Sequence, residues 1–226
     1  KSLLSSDIIR IEYHDNPGLR YGNAEVVLDY IVRRPETGGT LSLDMSQGVN
    51  ALWGEHRFSG KINHKKSEFG ASYRIGPRDF YGMSRDNEEI FHLADGTELH
   101  RKETGDPSHA RMFMHNVNLN YSIQDPEKYL FNATFRYWNN HQPNWDYRGI
   151  LSNLENPDDY VDMVDLNSED NQVPALDLYY QRNLKNDQTL VFNVVGTYNR
   201  TSSRRFYQES RDRELLTDIN NRVSGN

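Results

Sequence analysis

The side chains best equipped to grip a ligand gather at 138–147. Trp138, Trp145 and Tyr147, with Tyr160 beyond, offer aromatic faces, and Asn139, Asn140, His141, Gln142 and Asn144 offer amide and imidazole groups among them. Rings for stacking beside amides for hydrogen bonding suit a carbohydrate or a peptide. Trp145, Tyr147, Asn140, His141 and Asn144 are therefore the candidate ligand-binding residues. Trp138, at the top of a predicted strand, reads instead as part of an aromatic girdle at a membrane interface.

Other chemistries are weaker. His92 and His100 flank the Asp95-Gly96 turn, with His109 beyond it; a metal site needs three or four converging ligands and supporting hydrogen bonds, so these histidines read as scattered loop residues. Glu155, Asp158, Asp159, Asp162, Asp165, Glu169 and Asp170 offer oxygens to calcium, but without the spacing and central glycine of an EF-hand loop. They read as a solvated acidic loop. No phosphate-cradling glycine loop, Gly-x-Ser-x-Gly elbow or His-Glu-x-x-His pattern occurs. No catalytic residue, metal site or cofactor is predicted, and the chain is not read as an enzyme.

Composition narrows the class. The 226 residues have a net charge of -7 and 14 tyrosines against 9 phenylalanines, and the mean hydropathy is -0.88. An acidic chain without a basic stripe is a poor partner for nucleic acid. Cysteine is absent, which removes disulfides and thiol chemistry, and no apolar run is long enough for a transmembrane helix.

The elements that must carry these residues are strands. Leu41, Leu43 and Met45 alternate with polar neighbours, as do Phe58 and Ile62, and Phe69, Tyr73 and Ile75. The pattern is clearest at Phe113, Val117, Leu119, Tyr121 and Ile123, and recurs at Tyr129, Phe131, Phe135 and Tyr137, at Leu176, Leu178 and Tyr180, and at Leu190, Phe192, Val194 and Tyr198. Period-two alternation gives each strand one apolar and one polar face. Seven strands of about ten residues suit a bilayer-spanning barrel. Turns at 64–68, 124–128 and 184–188 are short, whereas 77–109 and 139–172 read as long loops, the periplasmic and extracellular asymmetry of such barrels. The first of these loops carries its own hairpin about Asp95-Gly96, and the second a short helix near Ile150 to Leu154. A charged loop is expected from Glu209 to Arg222.

Ahead of these strands lies Ile11-Glu12-Tyr13, then Asn16-Pro17, Arg20-Tyr21-Gly22 and Leu28-Asp29-Tyr30-Ile31-Val32-Arg33-Arg34. This order resembles the C-terminal end of the plug domain in TonB-dependent outer-membrane receptors, nearest to the Bacteroidetes type. In that family an Ile-Glu-Val strand, Asn-Pro, Arg-Tyr-Gly and a strand close to Ile-Asn-Ile-Ile-Thr-Lys-Lys lead into the barrel. Here Leu28-Asp29 replaces Ile-Asn, and Ala24-Glu25 replaces the frequent Gly-Gly.

The resemblance implies an all-β chain: an antiparallel transmembrane β-barrel meander, in part, preceded by the end of a plug. Residues 1–36 would be the plug end and 37–226 the first part of the barrel, located in a bacterial outer membrane. It implies uptake of a scarce solute, such as a metal chelate, glycan or peptide. The partners would be outer-membrane lipid and a TonB-type periplasmic energy-coupling protein, which grips an N-terminal box missing from this sequence. Glu12 and Arg20 would help lock plug to barrel. The segment 1–36 is expected to pack inside or against the polar face, and further barrel strands are expected beyond Asn226. The alternative is a soluble β-sandwich carbohydrate-binding module using 139–147 as its site.

Overall fold

Alternation becomes strand pairing throughout. The computed structural model describes residues 8–15, 26–32, 37–125, 128–186, 188–212 and 214–225; these are strands and turns, with no helix among them. Two strands, β1 (Ile8–His14) and β2 (Val27–Val32), form a separate antiparallel pair. The other twelve form one antiparallel sheet curved into a half-barrel. In chain order they are β3 (Thr37–Gln47), β4 (Leu52–His64), β5 (Ser67–Met83), β6 (Asn87–His92), β7 (Glu98–Asp106) and β8 (Ser108–Asp125). Then follow β9 (Tyr129–Trp145), β10 (Tyr147–Asn153), β11 (Tyr160–Asn183), β12 (Thr189–Thr197), β13 (Arg200–Arg211) and β14 (Glu214–Gly225).

Twelve strands reduce to a simpler plan when register is followed. Ser67↔Ile123 to Tyr81↔His109, and Asn87↔Glu103 to His92↔Glu98, lie on one line, so β5–β6 is one long strand folded back along β7–β8. In the same way β7–β8 pairs with β9–β10, and β9–β10 pairs with β11. Along the other edge of β11, β12 covers Ala175 to Asn183 and β13 covers Asp162 to Gln172. The sheet is an up-and-down meander of eight long strands in chain order among the described residues.

This extends the expected seven strands and corrects four local expectations. The stretches 77–109 and 139–172 are not irregular loops; most of their length is strand, raised as tall hairpins on one end of the sheet. Ile150 to Leu154 is not helical, since β10 occupies Tyr147–Asn153. The charged stretch from Glu209 to Arg222 is the pair β13–β14. Among the described residues the β1–β2 pair is not packed on the polar face: its contact with the large sheet is marginal at most, and Ile9, Ile11, Tyr13 and Leu28 are exposed.

Turn chemistry closes the hairpins. Lys65 and Asn186 adopt positive φ at the short turns, and Asp212 does so between β13 and β14. At the tall β6–β7 hairpin Gly96 takes φ +85, a conformation open to glycine without steric cost. Asp95 Oδ1 accepts hydrogen bonds from the Thr97 amide at 2.9 Å and its hydroxyl at 2.6 Å. The Asp-Gly signal therefore marks the hairpin tip, as predicted.

The two faces differ sharply. Leu119↔Phe135, Phe135↔Leu176 and Leu178↔Val194 place the expected apolar set on one face. It is not covered: Phe192 is 57% exposed and Val194 59%, and the only fully or nearly buried hydrophobics among the described residues are Ala110, Leu130, Leu151 and Met163. A β-sandwich would bury such a face under a second sheet; none lies there among the described residues.

A row of tyrosines bounds this apolar band. Tyr73 pairs with Val117, Val117 with Tyr137, and Tyr137 with Pro174; the Tyr198 amide donates to the Pro174 carbonyl at 3.0 Å. Tyr73, Tyr137 and Tyr198 thus stand level on the apolar face. Trp138, one residue past Tyr137, points to the other face beside Arg136, so it is not the girdle residue that its sequence position suggests.

Candidate functional site

The long strands break at one level, and the breaks build the site. A bulge at Gly82, with φ +87, bends β5, Pro107 interrupts β7–β8 without an amide to donate, and Asp146 separates β9 from β10. Ser108 ties the breaks together: its Oγ lies 2.9 Å from the Met83 carbonyl and 2.6 Å from that of Asp146.

Residues 84–86 then fold over the polar face. The cause is legible at Gly105, where an added Cβ would sit 2.5 Å from the Arg85 carbonyl oxygen and 2.6 Å from its nitrogen. The Gly105 amide donates to Asp86 Oδ1 at 3.0 Å, fastening the fold. Gly149, paired with Gly105, is as tightly covered by the backbone of Thr104 and Gly105.

Arg85 is thereby delivered to a buried ion cluster. Its Nε donates to both oxygens of Glu103, at 2.9 and 3.1 Å, and its Nη1 lies 3.4 Å from Asp165 Oδ2. Arg205 grips Asp165 from the opposite side with two hydrogen bonds of 2.8 and 3.0 Å. Asn87 donates to Glu103 at 3.2 Å, and Asn167 to Asp165 at 3.1 Å. The Glu103 and Asp165 side chains are only 3% and 2% exposed. Burial works to raise the Asp165 pKa, but the Arg205 hydrogen bond and charge, with Asn167 and Arg85, hold it below the usual carboxylate value.

A second bridge shows the curvature at this level. Arg101 on β7 reaches Glu209 on β13 at 2.7 Å, although β10 and β11 lie between them. On a flat sheet their strands would stand about 14 Å apart. The polar face is concave here.

Aromatic rings line the concavity. Trp53 and Phe80 lie with centroids 5.6 Å apart, and Phe80 meets Trp145 edge-on at 6.0 Å. Trp145 Nε1 donates to the Tyr147 hydroxyl at 3.0 Å, and the Arg85 guanidinium covers the Tyr147 ring at 4.1 Å. At the other end Arg78 covers Trp53 at 4.5 Å. An aromatic stripe with a cation at each end thus crosses the sheet. Beside it opens a cleft of about 480 Å³ whose wall includes Arg85, Gln142, Trp145, Tyr147, Asn167 and Asn221.

The sequence candidates divide between the two faces. Trp145 and Tyr147 line the cleft. Asn140 shares their face and pairs with Asn171; the buried Oδ1 of each has no hydrogen-bond donor among the described residues, so each can accept one from a ligand or water. His141 and Asn144 are on the apolar-band face instead. His141 lies 4.0 Å from Asp170 there, and Asn144 borders a separate groove of about 390 Å³ with Pro143, Ser168 and Arg204. A bulge at Arg111/Phe113 causes the split, because an extra residue in β9 reverses the parity above it.

The acidic run does not converge either. Asp165 belongs to the ion cluster, Asp159 pairs with Arg211, and Asp170 accepts from Asn139 on the opposite face. His92 and His100 both contact Glu98, at 3.0 and 3.2 Å, near the hairpin tip. Among the described residues no group of three such side chains is placed to hold a metal.

A larger cleft, about 690 Å³, lies lower on the polar face between Arg57, Arg74, Asn116, Asn118, Arg136 and Trp138. Arg74 is paired with Glu55 at 2.6 Å. Arg57 and Arg136 have no acidic partner among the described residues. Glu12 pairs locally with Arg10 at 2.6 Å within β1 rather than with the sheet; Arg20 lies outside the described residues.

No protein-family model, curated protein or solved structure matches this chain.

Proposed function

We propose that this chain is part of an outer-membrane receptor of the TonB-dependent type, which captures a solute on its polar face and passes it inward. The observation that carries the reading is the uncovered apolar band bounded by Tyr73, Tyr137 and Tyr198. From Tyr129 to Tyr137 the band covers eight residue steps, about 27 Å along the strand, which at the usual tilt of about 35–45° is about 19–22 Å of height, close to the apolar belt of about 25 Å in barrels of the outer membrane. Aromatic side chains at the border suit the headgroup level, where a ring has an apolar body and a polar tip. The short turns would then be periplasmic and the tall hairpins extracellular. The resemblance of Ile11 to Arg34 to the end of a plug supports the same reading.

The upper cleft is the proposed site of capture. Trp145 and Tyr147 supply stacking faces, and Asn140, Gln142 and Asn167 supply amide groups to a glycan, peptide or chelate. Arg57, which stands opposite Asp44 without an ion pair, and Arg136, with no acidic partner among the described residues, favour an acidic occupant in the lower cleft, as a plug carrying carboxylates would be. An energy-coupling partner in the periplasm would act through the plug.

Position-dependent quenching tests this. Phe192→Trp places an indole on the apolar band, while Trp53, Trp138 and Trp145 are on the polar face. In vesicles whose acyl chains carry bromine, the indole at 192 is expected to be strongly quenched and the native tryptophans nearly unaffected. An unquenched indole at 192 in folded protein would defeat the reading.

A further inference from the structure

Arg204 and Arg222 stand directly opposite each other on β13 and β14. Like charges in such a pair repel at Cβ separations near 5 Å and destabilise the sheet. Neither guanidinium has an acidic partner among the described residues. Of the acids nearby, Asp170 is held by Asn139 at 2.9 Å and Gln172 at 3.4 Å, and Asp146 accepts from the Asn167 amide at 3.3 Å. Arg200, four residues below Arg204, shares the face and stands across from Gln172. Three cations without an ion-paired acid among the described residues thus occupy one side of two strands.

Their position relative to the band identifies the missing anion. Going up this face, Phe192 and Val194 lie in the apolar band, Tyr198 marks its border, Arg200 follows, and Arg204 with Arg222 comes next. Arginine has a long apolar stem, so its head can reach back toward the border. The groove beside Arg204 combines the apolar Pro143, Leu166 and Phe206 with the polar Asn144, Asn167 and Ser168 and with Asp146, whose Oδ1 is engaged by the Asn167 amide. It can take a group that is part apolar and part hydrogen-bonding, next to a charge. Guanidinium forks match phosphate oxygens two at a time.

Resting on the outer-membrane reading above, we propose that Arg204, Arg222 and Arg200 clamp the phosphate group of a membrane lipid headgroup at the extracellular border. The anion bridges Arg204 and Arg222 and removes their repulsion, while the neighbouring groove holds the adjoining part of the lipid. His141, on this face by alternation from Tyr137, and Asn144, placed there by the bulge in β9, lie beside the lipid rather than the captured solute.

The test uses the full chain and two vesicle types, one wholly phosphatidylcholine and one containing phosphatidate, with inorganic phosphate as a separate probe. The native chain is expected to bind the phosphatidate vesicles more tightly. Arg204→Gln with Arg222→Gln should lower that affinity about thirtyfold, at about one surface-phosphate interaction per arginine, and leave phosphatidylcholine binding unchanged. The same loss of charge at Lys102 and Arg148, high on the hairpins, should have little effect. If the native chain inserts into both vesicles but the arginine variants keep the preference for phosphatidate, the clamp is wrong and the receptor reading stands. If inorganic phosphate protects the detergent-held protein as well as phosphatidate does, the site is for free anions and the lipid assignment falls. Failure to enter either vesicle defeats both.

Discussion

Asp165 organises the concave face, because two arginines from different hairpins meet on its carboxylate. Replacing it by Asn keeps the shape but leaves Arg205 and Arg85 facing a neutral amide, and breaking a buried ion pair from one side costs more than the pair contributes. With Arg205 half exposed, we expect Asp165→Asn to destabilise the upper hairpins by about 2 kcal/mol, read as faster amide exchange in β10 and the first half of β11. Exchange confined to native rates would mean that the cluster contributes nothing. The pH dependence has a definite sign. The folded Asp165 has its pKa below the usual carboxylate value, so its contribution is complete above the unfolded pKa near 3.9 and is lost as pH falls through the folded value. Amide protection of β10 should therefore hold from neutral pH down to about 4 and decline below it, while Asp165→Asn flattens that decline.

The elements were legible wherever one face met something apolar. Phe113 to Ile123 and Tyr129 to Tyr137 declared themselves by alternation, and Asp95-Gly96 located a hairpin tip. Beyond that hairpin, residues 84–106 and 139–172 did not, since adjacent apolar residues such as Ile150 with Leu151 and Met163 with Val164 point to opposite faces and no period-two signal survives. β14 was hidden because its adjacent Leu215 and Leu216 do not alternate and Asp218, Asn220 and Arg222 give the rest a charged, loop-like reading. The candidate site was half visible: Trp145, Tyr147 and Asn140 stand out by type and alternation from Tyr137 puts His141 on the apolar face, but the bulge that reverses the faces of Asn144 and Trp145 has no marker in the sequence. Arg85 was missed because its partners are 18 and 80 residues away. The one available hint is Gly105, whose missing side chain lets residues 84–86 lie over the sheet, and Gly149 packs in turn on the Thr104–Gly105 backbone. Gly149→Ala must therefore move the Thr104–Gly105 backbone, and forcing a methyl into such a contact costs about 1–3 kcal/mol. We expect it to loosen the Arg85 fold and lengthen Trp145 fluorescence relaxation, whereas Gly196→Ala, with open space around the site, leaves both unchanged. Equal behaviour of the two variants would remove the packing argument.

At the scale of the whole molecule, the question is what covers the apolar face. Four buried hydrophobic side chains among the described residues are too few to hold a sheet of this size in water by a core of its own. Leu178 lies near the middle of the band, between Ala133 on β9 and Val194 on β12. In a bilayer, Leu178→Arg would place a guanidinium near the midplane, at a cost of about 2–4 kcal/mol. On a face open to water the same change would stay within about 0.5 kcal/mol. Thr134→Arg serves as its partner: it is at a similar height, but on the polar face, opposite Asp177, so lipid should not register it. Reversible urea unfolding from phosphatidylcholine vesicles measures both. We expect Leu178→Arg to lose about 2–4 kcal/mol and Thr134→Arg to remain near the native value. Equal and small effects would mean that the band meets water, and the chain would then need a protein partner, rather than lipid, over that face.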